Sequence, residues 1–479
     1  MLAATWFQIG FIVAWVALGL ITGAHAVMYK RDSKGAALWV LLNFMLPIVG
    51  PWLYWVLGIN RMKRPSFRRR ARKKHRQRAR THVTAAARIG AAKLPSAELE
   101  PLRVIAERVT GLPLLPGNQI VPLHNGEQAY PEMLSAISGA KRNVTFANYI
   151  FDCDDVGKEF ASTLGDAARR GVAVHLLMDG IGAVGHYSRI GRLLLKSGAR
   201  VVSFFPLRFP LGRIRINLRN HRKLLVIDGE VGFTGGMNVS HRHSLRQKGA
   251  NRVEDLHFQV AGPVVADMQQ IFCEDWFLAT GEALTSEAYF PVLHDAGSSM
   301  ARVIASGPDE NIEKFHLIAQ AAFATAQRSV RVVTPYFVPS SALIAAMVMA
   351  ALRGVEVTMI LPSVTDIRFM RWAADAYLWE LLQHGVRVFR RRPPFVHTKL
   401  MVVDDRWILL GSANLDRRSL RLNFEFNIEA YDAELGRSLG EWFDALLPRS
   451  KEVTFKAIEA RPPLHRLRDG FVKLFSPHL

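Results

Sequence analysis

One pattern occurs twice in this chain and constrains its fold more than any other feature. His221-x-Lys223-x4-Asp228-x6-Gly235-Gly236-x-Asn238 returns as His397-x-Lys399-x4-Asp404-x6-Gly411-Ser412-x-Asn414, with every spacing kept. A lone His-x-Lys is ordinary, but two copies in register mark an internal duplication. The flanks repeat too: the run from Val144 through Tyr149 corresponds to that from Val330 through Tyr336, and Arg170-Gly171-Val to Arg353-Gly354-Val. The pattern predicts a strand over 143–151, an amphipathic helix over 156–170 stopped by Gly171, and a β-branched strand over 172–178. Each half repeats that order before its His-x-Lys strand, so the expected fold is a duplicated α/β domain with mixed sheets covered by helices.

In an extended strand, residues two apart share a face, so His221 projects with Lys223 and His397 with Lys399. Asp228 has the opposite parity and opens an Asp228-Gly229 turn, as Asp404 opens Asp404-Asp405. The histidines and lysines are therefore expected to meet a substrate, and the aspartates to anchor the hairpin from its end. Gly235, Gly236 and Gly411 permit close backbone approach, while Asn238, Asn414 and Ser412 add donors for an anion.

Two imidazoles and two ammonium groups suit displacement at a phosphodiester. One neutral histidine attacks phosphorus to form a phosphohistidine, the other protonates the departing alkoxide, and the lysines hold the non-bridging oxygens. Each half supplies part of the machinery, so the site is expected where the halves face each other. A nucleophilic imidazole also needs its remote nitrogen held. Asp255 downstream of the first motif and Glu425 downstream of the second are the candidates, since an unpaired carboxylate in such apolar stretches is costly.

The balance of 62 Lys and Arg against 41 Asp and Glu gives a formal charge of +21, which by itself suggests a nucleic-acid binder. Twelve of the basic residues, however, crowd into residues 61–80, where there is no acid. That run follows two uncharged stretches, 3–29 and 35–60, each long enough to cross a hydrocarbon core of roughly 20 helical residues. A cleaved signal peptide fits poorly, because no basic residue precedes the first apolar run and a second follows at once. Pro47, Gly50 and Pro51 in the second stretch leave a kinked or re-entrant hairpin open. Arg61 to Arg80 carries four times the charge of Lys30, Arg31 and Lys34, which places the rest of the chain on the cytoplasmic side. The expected partners are thus a membrane and anionic phospholipid, with no nucleic acid. Cys153 and Cys273 read as reduced, structural thiols, with no metal-ligand cluster.

The twin motifs resemble those of the phospholipase D superfamily, and the wider match is closest to its bacterial cardiolipin synthase family. The resemblance rests on Leu46-Pro-Ile-Val-Gly-Pro51, Tyr149-Ile-Phe-Asp152, Arg219-Asn-His-Arg-Lys, Thr334-Pro-Tyr-Phe-Val-Pro339, Pro394-Phe-Val-His397-Thr-Lys, Gly411-Ser-Ala-Asn-Leu-Asp416 and Leu474-Phe-Ser-Pro477. It implies an N-terminal transmembrane hairpin followed by two phospholipase D-like α/β/α sandwich domains. It implies phosphatidyl transfer between two phosphatidylglycerol molecules, giving cardiolipin and glycerol without metal or cofactor, at a bacterial inner membrane. It also makes His221 the nucleophile, makes His397 the acid and base, and counts Asp228 and Asp404 with the active site; sequence symmetry alone does not distinguish the two histidines.

The expected boundaries are a membrane hairpin over 1–60, a polybasic tether over 61–116 with one helix near 97–109, domains over 117–295 and 296–455, and an amphipathic tail over 456–479. Arg215 and Arg219, in a basic run that begins at Arg208, are candidates for a substrate phosphate. The tail mixes Arg466, Arg468 and Lys473 with Leu467, Phe471 and Leu474 and reads as an interfacial helix. A hydrolytic phospholipase D would share all the chemistry and differ only in its acceptor. A nuclease would leave the uncharged spans unexplained.

Overall fold

The computed structural model describes residues 2–30, 33–59, 94–180, 187–204, 219–246, 251–307, 313–416, 419 and 423–474. The chain divides into two compact units, residues 1–63 with 208–217 and residues 64–207 with 218–479. The basic run 61–80 and Arg215 lie outside the described residues.

In the first unit, the helix Leu2–Tyr29 contains an uncharged, largely apolar stretch, Thr5–Tyr29, with mean hydropathy 2.0. Its 28 residues reach about 42 Å at 1.5 Å per residue, enough to cross a bilayer. The second apolar stretch behaves differently. Ser33–Met45 is helical for 13 residues, the chain breaks at Leu46-Pro47-Ile48, where Ile48 has φ 62°, and it resumes as Val49–Leu53 and a π turn, Tyr54–Gly58. Proline lacks the amide hydrogen that would continue the helix, so the expected second span becomes a broken segment folded back on itself. Gly19 and Gly23 let the two segments approach, since a Cβ at Gly19 would stand 3.0 Å from Phe44. The apolar turn is closed by Trp39, Tyr54 and Ala26, with the Tyr54 hydroxyl 2.7 Å from His25 Nδ1.

The second unit carries the duplication. Its first half holds β1 (Leu115–His124), β2 (Asn143–Asn148), β3 (Ala173–Asp179), β4 (Arg200–Phe204), β5 (Arg219–Asn220), β6 (Leu224–Ile227), β7 (Val231–Gly235), β8 (Val253–Glu254) and β9 (Leu256–Ala261). The second half holds β10 (Ser299–Ser306), β11 (Ser329–Val333), β12 (Phe337–Val338), β13 (Glu356–Pro362), β14 (Arg387–Arg391), β15 (Phe395–Val396), β16 (Leu400–Val403), β17 (Trp407–Gly411), β18 (Leu415–Asp416), β19 (Asn423–Tyr431) and β20 (Ser450–Val453). The main sheet runs β4-β3-β2-β6-β7-β9-β1-β10-β19-β17-β16-β11-β13-β14-β20, with β5 attached to β19. Read outward from the β1–β10 join, the two halves repeat one order. β2, β3 and β4 pair in parallel, as do β11, β13 and β14, the motif strands pair antiparallel, and β20 adds antiparallel at the edge of the second half.

The duplicated domains thus share one continuous mixed sheet rather than two separate ones. β6 and β16 are buried along their whole length, because helices cover both faces of the central strands. At the seam, Arg302 on β10 and Glu429 on β19 form a fully buried ion pair. Two large apolar cores flank the sheet, the first around Phe146, Phe160 and Leu225 and the second around Ile318, Met347 and Leu378, with a smaller one around Ile360, Phe389 and Phe443. The helix Glu100–Thr110 buries Leu102 and Ala106 in the second of these, so the expected tether is already packed structure before residue 110.

Candidate active site

Two short parallel crossings bring the motifs together. β5, just before His221, pairs with the start of β19, and β15, just before His397, pairs with β8. The His221 N–H donates to the Phe424 carbonyl at 2.9 Å, one residue before Glu425. The His397 N–H donates to the Glu254 carbonyl at 2.8 Å, one residue before Asp255. Each histidine is thereby seated beside the acid of the opposite half. His221 Nδ1 lies 3.0 Å from Glu425 Oε2, and His397 Nδ1 lies 2.9 Å from Asp255 Oδ2. The two acids named in the sequence are the imidazoles' partners, and they are exchanged between the halves.

Both carboxylates are fully buried, while the His221 and His397 side chains keep 13% and 11% exposure. With Nδ1 engaged by the acid, Nε2 of His221 is the nitrogen left for a substrate, while Nε2 of His397 faces Lys399. Burial lowers the pKa of His221, opposed in part by Glu425 and reinforced by Lys223, which keeps the ring neutral. His397 is held well below its ordinary value by burial, then by Lys399, Lys223 and His221, so the field of both motifs falls on one ring. Burial likewise pulls Lys223 down to about 7 and Lys399 down to about 8. Lys223 Nζ donates to the His221 carbonyl at 2.9 Å, and Lys399 Nζ stands 3.0 Å from His397 Nε2. Such a cluster of partly suppressed positive charge is what an anionic phosphodiester would restore to full charge.

The supporting residues differ between the halves. Ser412 Oγ donates to Glu425 Oε2 at 2.6 Å, and Asn423 Nδ2 donates to the other carboxylate oxygen at 3.0 Å. In the first half a Cβ at Gly236 would lie 2.5 Å from both Asp255 oxygens, so glycine makes room where serine donates in the second. Asn238 Oδ1 accepts the Ile150 N–H at 3.3 Å and Asn414 Nδ2 donates to Ser419 Oγ at 3.3 Å, so both asparagines brace loops. Arg219 is buried in the β5–β19 crossing.

Asp228 and Asp404 stand elsewhere. Asp228 accepts the backbone N–H groups of Lys141, Arg142 and Asn143 at 2.7–2.9 Å, and Asp404 accepts those of Gln327, Arg328 and Ser329 at 2.7–2.9 Å. Both have positive φ at the turn, 54° and 53°, and pin the hairpin to the strand beside it. These are the bonds of hairpin anchors, made at the end of each motif strand opposite its histidine. Asp228→Ala is expected to lower stability by about 2–4 kcal/mol through three orphaned donors, with less than about a tenfold change in turnover per folded chain. Thermal unfolding beside activity normalised to folded protein checks this.

Sequence reasoning passed over three residues. Arg222, the variable position of the first motif, is buried, pairs with Asp275 at 2.5 Å, and donates across the seam to the Glu425 carbonyl at 3.1 Å and the Ser306 carbonyl at 3.2 Å. Tyr149 packs its ring 5.0 Å from that of His221 and 5.2 Å from Lys223 Nζ. His243 lies 6.1 Å from His397 ring to ring, its Nε2 accepts the Asn238 N–H at 3.3 Å, and its Nδ1 is 4.0 Å from Asp255. Burial drives His243 down to about 3, so it is a neutral neighbour of the His397–Asp255 pair. The His241-Arg-His243 run beyond the first motif was the available signal. Among the described residues no group of three or more His, Cys, Asp or Glu side chains is arranged to hold a metal ion.

A family model described as "Cardiolipin synthase, PLD-like domain" matches residues 133–276 and 320–447, one segment in each half. Cardiolipin synthase A of Pseudomonas fluorescens is 32% identical over 98% of this chain and 98% of its own length. The cardiolipin synthase of Geobacillus kaustophilus is 30% identical over 94% of this chain and 90% of its own. Among solved structures, a phosphatidylserine synthase of Haemophilus influenzae superposes with a TM-score of 0.62 at 16% identity, covering 79% of this chain and 100% of that one, a likeness of fold.

Proposed function

The chain belongs to the cardiolipin synthase family of phospholipase D-like proteins, and from that premise we propose a two-step phosphatidyl transfer at the crossed histidines. It is a membrane-associated phosphatidyl transferase that makes cardiolipin. The donor and the acceptor are both phosphatidylglycerol. The observation that carries this reading is the reciprocal pairing of His221 with Glu425 and His397 with Asp255 around two buried lysines.

In the first step, His221 Nε2 attacks the phosphorus of one lipid as Glu425 takes the partial charge of its Nδ1–H. The bond to the glycerol headgroup breaks, and the leaving oxygen takes a proton from His397. In the second step, the free hydroxyl of another phosphatidylglycerol gives its proton to His397 and attacks the phosphohistidine, freeing His221 and forming cardiolipin. Lys223 and Lys399 hold the non-bridging oxygens as charge grows on phosphorus. The phosphodiester's negative charge raises the proton affinity of His397, which burial and the lysines otherwise suppress.

The pH dependence comes from the lysines. Their folded values, about 7 and about 8, lie below the ordinary lysine range, so the charged form is present at low pH and lost as pH rises through them. The ratio kcat/KM is expected to fall with rising pH across about 7 to 8, and kcat to fall only at higher pH, where bound phosphate has raised the same groups. Rate profiles from about pH 5 to about pH 9 read the separation; coincident limbs would remove the lysines from substrate binding.

We place both catalytic halves on the cytoplasmic face, because the basic run 61–80 follows the apolar segments and outweighs the charge between them. The full chain in vesicles of phosphatidylglycerol alone tests the reaction. Cardiolipin and glycerol in equal amounts are expected; phosphatidic acid as the main product would make the enzyme a hydrolase.

A further inference from the structure

The second half contains a cavity of about 560 Å³ that none of the motif residues lines, walled by Arg368, Arg371, Trp372, Arg390, Arg461 and Arg468. Its volume is in the range of small-ligand sites. Two carboxylates answer the five arginines. Asp375 pairs with Arg390 and, at 3.4 Å, with Arg461; Asp469 pairs with Arg461 at 2.6 Å and with Arg468 at 2.7 Å. Among the described residues, Arg368 and Arg371 form no ion pair, so the cavity keeps a positive excess. The Arg468 guanidinium also lies 4.5 Å from the Trp372 ring, which fixes one wall. Crowding by Arg371 and Arg461 adds to burial in lowering the Arg390 pKa. Arg391, the next residue on β14, instead pairs with Glu254 at 2.8 Å beside the catalytic acid, so adjacent residues of this strand serve the cavity on one face and the reacting site on the other.

One wall is the helix Pro463–Leu474. Leu464, Leu467, Phe471 and Leu474 recur at helical spacing and are 59% to 77% exposed, while His465 and Arg468 on the same helix line the cavity. Phe369 and Val364 are also 56% exposed, and Val364 lines the cavity itself. An outward apolar stripe beside a basic hollow matches the layered chemistry of a bilayer surface, with acyl chains below and phosphate above.

From this juxtaposition we propose that the cavity binds the headgroup of a non-reacting anionic phospholipid while the C-terminal helix lies in the membrane interface, holding the second half against the bilayer. The shape and charge favour a lipid over free phosphate, because a small ion would leave the apolar stripe uncovered. This rests on the reading that the enzyme works on bilayer lipids.

The test uses the full chain in phosphatidylcholine vesicles containing a little photoactivatable phosphatidylglycerol, with the labelled residues mapped by mass spectrometry. Label is expected within residues 364–375 and 461–474. Arg368→Ala with Arg371→Ala should reduce it about twenty-five-fold, each charge contributing about fivefold at an anionic surface. Arg368→Lys with Arg371→Lys should restore most of it, and label near His221 should be unchanged in both. No label in those segments, label indifferent to the alanine pair, or label displaced as well by inorganic phosphate as by unlabelled lipid would overturn the proposal. A chain labelled there that makes no cardiolipin would instead sink only the transfer reaction.

Discussion

His397→Asn is expected to lower cardiolipin formation by about ten-thousand-fold or more, yet to leave the chain able to release one equivalent of an aryl alcohol from an aryl phosphatidyl ester. The reason lies in the leaving group. Glycerol departs as a strong base and needs the proton that His397 carries, whereas an aryloxide departs without one. The acceptor hydroxyl then finds no base, so the phosphatidyl group should remain on His221 as an acid-labile adduct. His221→Ala should show neither burst nor adduct. Rapid-quench measurement with a radiolabelled phosphatidyl group separates the two variants. An adduct on His397 in the His221→Ala chain would reverse the roles; adducts in neither would remove the covalent step.

Glu425→Gln and Asp255→Asn are expected to cost about a thousandfold to ten-thousandfold in kcat, because an amide can hold the ring in the wrong tautomer and cannot stabilise an imidazolium. The effects should cross between the halves. Glu425 lies on the second half, but it engages His221 Nδ1 at 3.0 Å, so Glu425→Gln should slow the aryl burst itself. Asp255 lies on the first half, but it engages His397 Nδ1 at 2.9 Å, so Asp255→Asn should leave the burst nearly intact and stall the transfer to the acceptor hydroxyl. The opposite assignment of burst and stall would mean that each acid serves the histidine of its own motif. Circular dichroism on both variants is needed, since Glu425 also holds Ser412 and Asn423 in the buried seam.

Much of this was legible in the chain. The repeated spacing shows the duplication, because a motif strand keeps its register only if the residues facing the core recur at fixed intervals. Asp228-Gly229 and Asp404-Asp405 announce their turns, since few other residues tolerate positive φ at both central positions. The parity of Asp228 relative to Lys223 separates anchor from reacting group, and the structure places its carboxylate on the backbone of Lys141 to Asn143. Local chemistry also marks Pro47 as a break in the second apolar stretch.

What the chain determined by itself, then, is the parts: two equivalent halves, their turns, and the histidine, lysine and acid that each contributes. Which acid serves which ring was decided only by tertiary structure, because duplication preserves spacing within each copy and leaves pairing within or between copies equally compatible with the order of residues. The short β5–β19 and β15–β8 crossings make that choice, setting each histidine's backbone one residue from the other half's acid. The join of β1 to β10, which fuses the sheets, has the same origin, as does the buried position of Arg222. These are long-range contacts whose energies depend on what lies across the seam, and no local pattern records what lies there.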